Sequence, residues 1–174
     1  MKSHSSRINL NLLLIAILFG AGCQTSKRVK AEDATHIFIF METHSGLGEM
    51  ARKVDIDGPN GGTMYIGASP VLNDVHIEEA SAHDAADGSV AIQLQLNRQG
   101  KRILENMSGA YRGKRLAVSA SFPELRWLCC VRMDKLMSDG HLTFFPNASP
   151  EECDRIAKGM NLVIAELNSK HRYK

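Results

Sequence analysis

Residues 89–122, SVAIQLQLNRQGKRILENMSGAYRGKRLAVSASF, decide the fold. Val90, Ile92, Leu94 and Leu96 alternate with Ala91, Gln93 and Gln95. That two-residue period is the mark of a strand with one buried face. The period then changes: Ile103, Leu104, Met107 and Tyr111 recur at three- and four-residue steps with Arg102, Glu105, Asn106 and Arg112 between them. An amphipathic helix follows from that spacing, and Gly113 stands where a left-handed helix end falls. Leu116, Val118, Ala120 and Phe122 then alternate with Ala117, Ser119 and Ser121, predicting a second half-buried strand.

Working outward, Trp127 to Met133 is a denser apolar run that reads as another strand, and His141 to Phe145 is a short one ended by Pro146-Asn147. The clearest element closes the chain. Ser149 is an N-cap, Pro150 takes the first helical position, and Glu152 completes a capping box. Cys153, Ile156, Ala157, Met160, Val163, Ile164 and Leu167 then fall on one stripe. Upstream, His36 to Met41 suits a central strand and Thr63 to Ile66 a short one. Gly46-Leu47-Gly48 and the stretch Gly58-Pro59-Asn60-Gly61-Gly62 read as turns. The whole predicts an α+β two-layer sandwich, a mostly antiparallel sheet with two main helices packed on one face.

The 174 residues, 44% hydrophobic and 23% charged, hold about one domain, and something is attached in front. Lys2 and Arg7 precede an apolar run, Leu10 to Phe19, too short for a hydrocarbon core of about 30 Å. Ala21-Gly22-Cys23 after it resembles the lipobox of bacterial lipoprotein signals, which implies cleavage before Cys23 and lipid on its thiol. The expected organisation is a signal peptide over 1–22, a polar tether over 23–35, and one α+β domain over 36–170. Several acyl chains on Cys23 would anchor the chain stably to a membrane. Gln24, by the usual sorting rule, implies the outer membrane, facing the periplasm.

Loss of 1–22 removes Lys2 and Arg7 from 21 basic residues and no acid from 19, so the mature chain is neutral. No field then exists to draw in nucleic acid, and Lys170, Arg172 and Lys174 read as a solvated terminus. With Cys23 lipidated, Cys129, Cys130 and Cys153 remain. Neighbouring residues on a strand point to opposite faces, so only one of Cys129 and Cys130 could face Cys153. Buried free thiols acting as small apolar residues are the simpler reading.

Several residues are candidates for chemistry. His76, Glu79, His83 and Asp87 would share one face if helical and could hold a cation, with His44 as a further histidine. The stretch Glu78 to Asp87 reads more simply as a solvated loop, and no metal or cofactor is expected. No Gly-x-Ser-x-Gly or His-Glu-x-x-His motif occurs, so no catalytic residue is assigned and the chain is expected not to be an enzyme. Trp127, Tyr65 and Phe145 are candidates for an apolar contact surface, since binding an extended chain needs apolar pockets or a free strand edge. Plain core packing is the simpler reading for all three.

The order of elements and several motifs together resemble the head subdomain of the first periplasmic domain of SecD/SecDF. They are Ser69-Pro70-Val71-Leu72, Val75-His76-Ile77 with Ala80, the Val90–Leu96 strand, Gly100, the Ile103/Leu104 helix, Gly113-Lys114-Arg115-Leu116-Ala117-Val118, and the closing Ser149-Pro150-Glu151-Glu152. Gly61-Gly62-Thr63-Met64-Tyr65-Ile66 resembles free-standing copies of that subdomain. The likeness runs from about residue 36 to 168. SecD assists protein export through transmembrane helices and proton flow, so the resemblance carries over the fold and not the transport cycle. It implies a stand-alone envelope lipoprotein that binds protein without catalysis, accessory to export or envelope assembly, with no assigned binding residue. The competing class is a metal-binding or enzymatic periplasmic domain centred on His76 and His83.

Overall fold

A computed structural model describes residues 33–58, 61–122 and 124–171. The signal segment, Cys23, Gln24 and the tether as far as residue 32 lie outside the described residues, as do Pro59, Asn60, Arg172 and Lys174.

The described chain is an α+β two-layer sandwich of strands β1 (His36–Thr43), β2 (Ala51–Ile56), β3 (Gly62–Gly67), β4 (Leu72–Asn73), β5 (Ile77–Asp84), β6 (Val90–Leu96), β7 (Arg115–Ser121), β8 (Leu125–Arg132) and β9 (His141–Phe144), with helices α1 (Arg98–Ala110) and α2 (Pro150–His171). The strands divide into two antiparallel sheets. The larger runs β2-β3-β1-β7-β8, with β4 beside the first half of β1; the smaller runs β5-β6-β9. The two helices and the small sheet together cover one face of the large sheet.

Alternation along β1 explains the layering. Ile37 and Ile39 point into the main core with Leu116, Val118 and Ala120 of β7, Leu94 and Leu142 of the small sheet, and Leu104 and Ile156 of the helices. Phe38 and Phe40 point the other way, into a second cluster with Ala117 and Cys130. The β2-β3 hairpin folds over that outer face and seals it with Ile56, Met64 and Ile66, and β2 returns close to β8. The expectation that the strand at residues 116–122 is half-buried is therefore corrected. Leu116 to Ala120 are buried on both faces, because the hairpin covers the side that pattern leaves to water.

β8 shows how one extra residue sorts side chains. Val118 pairs with Cys129 and Ser119 with Trp127, so Leu128 has no partner of its own across the ladder. This bulge lets both Leu128 and Cys129 enter the main core, while Cys130 enters the outer cluster. The adjacent cysteines thus serve opposite faces, and Cys153 shares the main core with Cys129. All three are buried free thiols, and burial raises the pKa of each above its ordinary value. Iodoacetamide is expected to leave the three unlabelled in the folded chain and to modify all of them in guanidinium, by peptide mass spectrometry; fast native labelling would show that the cores open.

The α2 N-terminus keeps half of its expected box. Ser149 Oγ accepts the Glu152 N–H at 3.2 Å. The Glu152 carboxylate turns instead to Arg126 of β8 at 3.0 Å. Arg126 and Arg155 lie over the ring of Phe122, 5.4 and 5.2 Å from its centre, and so tie the helix start to the large sheet. Further along, Asn161 reaches the outer edge of β5. Its amide accepts the Ala80 N–H at 2.9 Å and donates to the Ala80 carbonyl at 2.7 Å, meeting both groups a neighbouring strand would otherwise meet. Asn161→Ala is expected to cost about 1–2 kcal/mol in urea unfolding, because the Ala80 backbone pair loses its partner.

A part-buried ion pair fastens the far end of the large sheet. Glu42 accepts from the Arg115 backbone N–H at 2.9 Å and from its Nη2 at 2.8 Å, while Nη1 reaches the Gly61 carbonyl at 3.1 Å. The side-chain hydrogen bond from Arg115 holds the Glu42 carboxyl below its ordinary 4.5, against the opposing effect of burial. A depressed folded-state value stabilises above the unfolded value and is lost as pH falls through the folded one. Glu42→Gln is accordingly expected to be less stable than the parent by about 1 kcal/mol at pH 7, with the gap closing below pH 4.5, in chemical unfolding at each pH.

Candidate docking surface

The metal constellation does not assemble. Residues 77–84 form strand β5, neither helix nor loop, and His76 ends a 3-10 turn (Asp74–His76) just before it. Along an extended strand of about 3.3 Å per residue, His76 and His83 stand on the order of 20 Å apart. Each has a local partner: His76 Nδ1 accepts the Asn73 N–H at 3.2 Å, and His83 Nε2 lies 2.8 Å from Ser81 Oγ. Glu79 lies on β5 opposite Gln95. Asp87 binds Ser89 in the β5-β6 turn, and His44 is exposed before the turn at Ser45–Met50. Among the described residues no group of three or more metal-capable side chains comes together.

The aromatic candidates divide. Trp127 packs edge-on against Phe40, ring centres 5.7 Å apart, in the outer cluster. Tyr65 is half-buried on β3. Phe145, just past β9, is 46% exposed and no part of either core. Tyr111, expected on the buried stripe of the first helix, instead ends it at 47% exposure. The last periodic position lies past the turn that packs.

What the structure does bring together is a cleft between the Asp74–His76 turn and the C-terminal half of α2. The turn is held from two sides. Asp74 accepts the Ile37 N–H at 2.8 Å, and its other oxygen lies 2.7 Å from His36 Nδ1, which fastens the turn to the start of β1. Asn97, between β6 and α1, donates from Nδ2 to the Val75 carbonyl at 2.7 Å, and its backbone N–H donates to the His76 carbonyl at 2.9 Å. The same side chain caps α1 by accepting the Gly100 N–H. The approach is close enough that a Cβ on Gly100 would stand 2.6 Å from the His76 carbonyl oxygen.

Its lining includes the buried Ile77 and Ile164, the half-buried Leu167 and Asn97, and the exposed Asn168. Asp74, Val75 and Glu78 make the rim, with Val75 52% exposed. Glu78 is there because β5 carries a bulge. Ile77 pairs with Leu96 and Glu79 with Gln95, which leaves Glu78 unpaired in the ladder. Ile77 and Ala80 can then both face the core while two successive glutamates stay outside. The space measures about 150 Å³. Nothing in the local sequence announces it, beyond an apolar Val75 among polar neighbours and a helix stripe that runs one turn past the core at Leu167.

The architecture is SecD-like. No family model and no curated protein sequence matches the chain. Solved structures do. One, SecDF described as a membrane component that enhances protein export, superposes with a TM-score of 0.56 at 14% identity over 74% of this chain and 63% of that one. Another, SecDF in its super-membrane-facing form, gives a TM-score of 0.56 at 17% identity over 75% of this chain and 19% of that one. The chain therefore spans less than two thirds of the length of either. At these identities the likeness is one of fold. Among the described residues no helix is long and apolar enough to cross a membrane.

Proposed function

We propose that the chain is an envelope lipoprotein, lipid-anchored through Cys23 to the periplasmic side of the outer membrane, whose SecD-like domain binds polypeptide and assists export or envelope assembly without catalysis. The observation that carries this reading is the fold shared with a protein described as enhancing protein export. The preformed cleft beside the Asp74–His76 turn suits binding, because the turn that forms one side of it is fixed before any partner arrives. The sequence before residue 33 supplies the membrane attachment, with a single lipobox cysteine.

Two measurements test the two halves of the proposal. Pulse-chase labelling in cells lacking the protein is expected to show slower maturation of a secreted precursor, and an unchanged rate would count against an export role. Mass spectrometry of the mature N-terminus is expected to find a lipid-modified Cys23, with Cys23→Ser protein washing out of the envelope fraction. An unmodified Cys23 on a membrane-held chain would exclude the anchor.

A further inference from the structure

We propose that the cleft between the Asp74–His76 turn and α2 takes one apolar side chain of an extended polypeptide, flanked by lysine or arginine. This rests on the reading of the domain as a polypeptide binder and names the chemistry that it selects. Size is the first argument. Pockets for small organic ligands run to about 300–1,000 Å³, whereas this space of about 150 Å³ matches a single bulky side chain. Apolar contact comes from the half-buried Leu167 and the exposed Val75 at the lip, over a bottom closed by the buried Ile77 and Ile164.

Charge is the second argument. Asp74 and Glu78 stand on the rim, and no lysine or arginine is among the described residues that line the cleft. Both Asp74 oxygens are already engaged from within, one by the Ile37 N–H and the other 2.7 Å from His36 Nδ1. Glu78 is exposed, thrown outward by the bulge, and its Oε2 accepts only a long 3.4 Å bond from Gln95. A cation beside the inserted side chain would meet Glu78 at the mouth, where complementary charge raises the rate of encounter and selects among partners. The anchoring bonds from Asn97 and Asp74 keep the mouth open without a partner, so little ordering is needed on binding.

Fluorescence anisotropy on the full chain in detergent, with two labelled peptides identical except for a central Lys-Leu-Lys or Glu-Leu-Glu, tests this. The cationic peptide is expected to bind about tenfold more tightly, and to weaken as salt rises from about 0.05 to about 0.5 M. Glu78→Lys should abolish the preference and Val75→Ser should weaken the cationic peptide severalfold, both with the parent's melting temperature, since both positions are exposed. Equal binding of the two peptides, no binding of either, or a preference that survives Glu78→Lys would overturn the assignment. Slower export in cells lacking the protein, with no peptide preference, would sink the cleft and leave the wider reading standing. Normal export with a clear preference would do the reverse.

Discussion

Phe144→Ala is expected to destabilise the domain by about 3–5 kcal/mol, a large part of the margin of a domain this size, with a lowered urea midpoint and an unchanged slope. Phe144 ends β9 and is 2% exposed. It pairs with Ile92 across the small sheet and faces the main core that both sheets and both helices share. Truncation removes the aromatic ring and leaves a cavity in the main core that the hydrogen-bonded strands beside it cannot fill. Its neighbour supplies the control: Phe145→Ala, at an exposed position, is expected to change stability by less than about 0.5 kcal/mol. A small effect at Phe144 would mean that the small sheet is not packed as described.

Gly159→Val is expected to cost about 3 kcal/mol, at the upper end for overpacking. On the α2 surface a Cβ at this position would collide with Thr35 Oγ1 and stand 2.7 Å from the Asp33 carbonyl oxygen. The threonine side chain could turn aside, but the carbonyl belongs to the backbone that leads into β1. Thr35 is 1% exposed, so the segment entering the domain is packed against the helix. Two consequences should appear together: a lower melting temperature and new protease cleavage close to residue 35. Loss of stability without new cleavage would place the strain elsewhere in α2.

Much of this fold is legible in the chain because its strongest signals are local. The alternation from Val90 to Leu96 and the stripe from Cys153 to Ile164 depend only on which faces are dry, and both elements form where their periods put them. Gly113, at φ +83°, takes the left-handed conformation that its place after the helix requires. The opposite-face reading of Cys129 and Cys130 holds for the same reason.

The remainder depends on contacts that no window of sequence contains. β2 carries Arg52, Lys53 and Asp55 and offers only Val54 and Ile56 as strong apolar residues, too weak a pattern to predict a strand. It is a strand because β3 pairs with it and the outer face of the large sheet needs cover. β5 is misleading in another way. Its glutamates, alanines and histidine look solvated, yet Ala80 and Ala82 are small because α2 lies against them, close enough for Asn161 to reach the strand edge. The cleft is less legible still, since it joins residues 74–78 to residues 164–168 and depends on a bulge at Glu78.

The most direct measurement is photo-crosslinking in living cells from a benzophenone amino acid placed at Val75, on the lip of the cleft, with Thr143 on the exposed face of the small sheet as reference. The account predicts an adduct between position 75 and a secretory precursor stalled in export, and none from position 143. No adduct from position 75, or equal adducts from both positions, would contradict it.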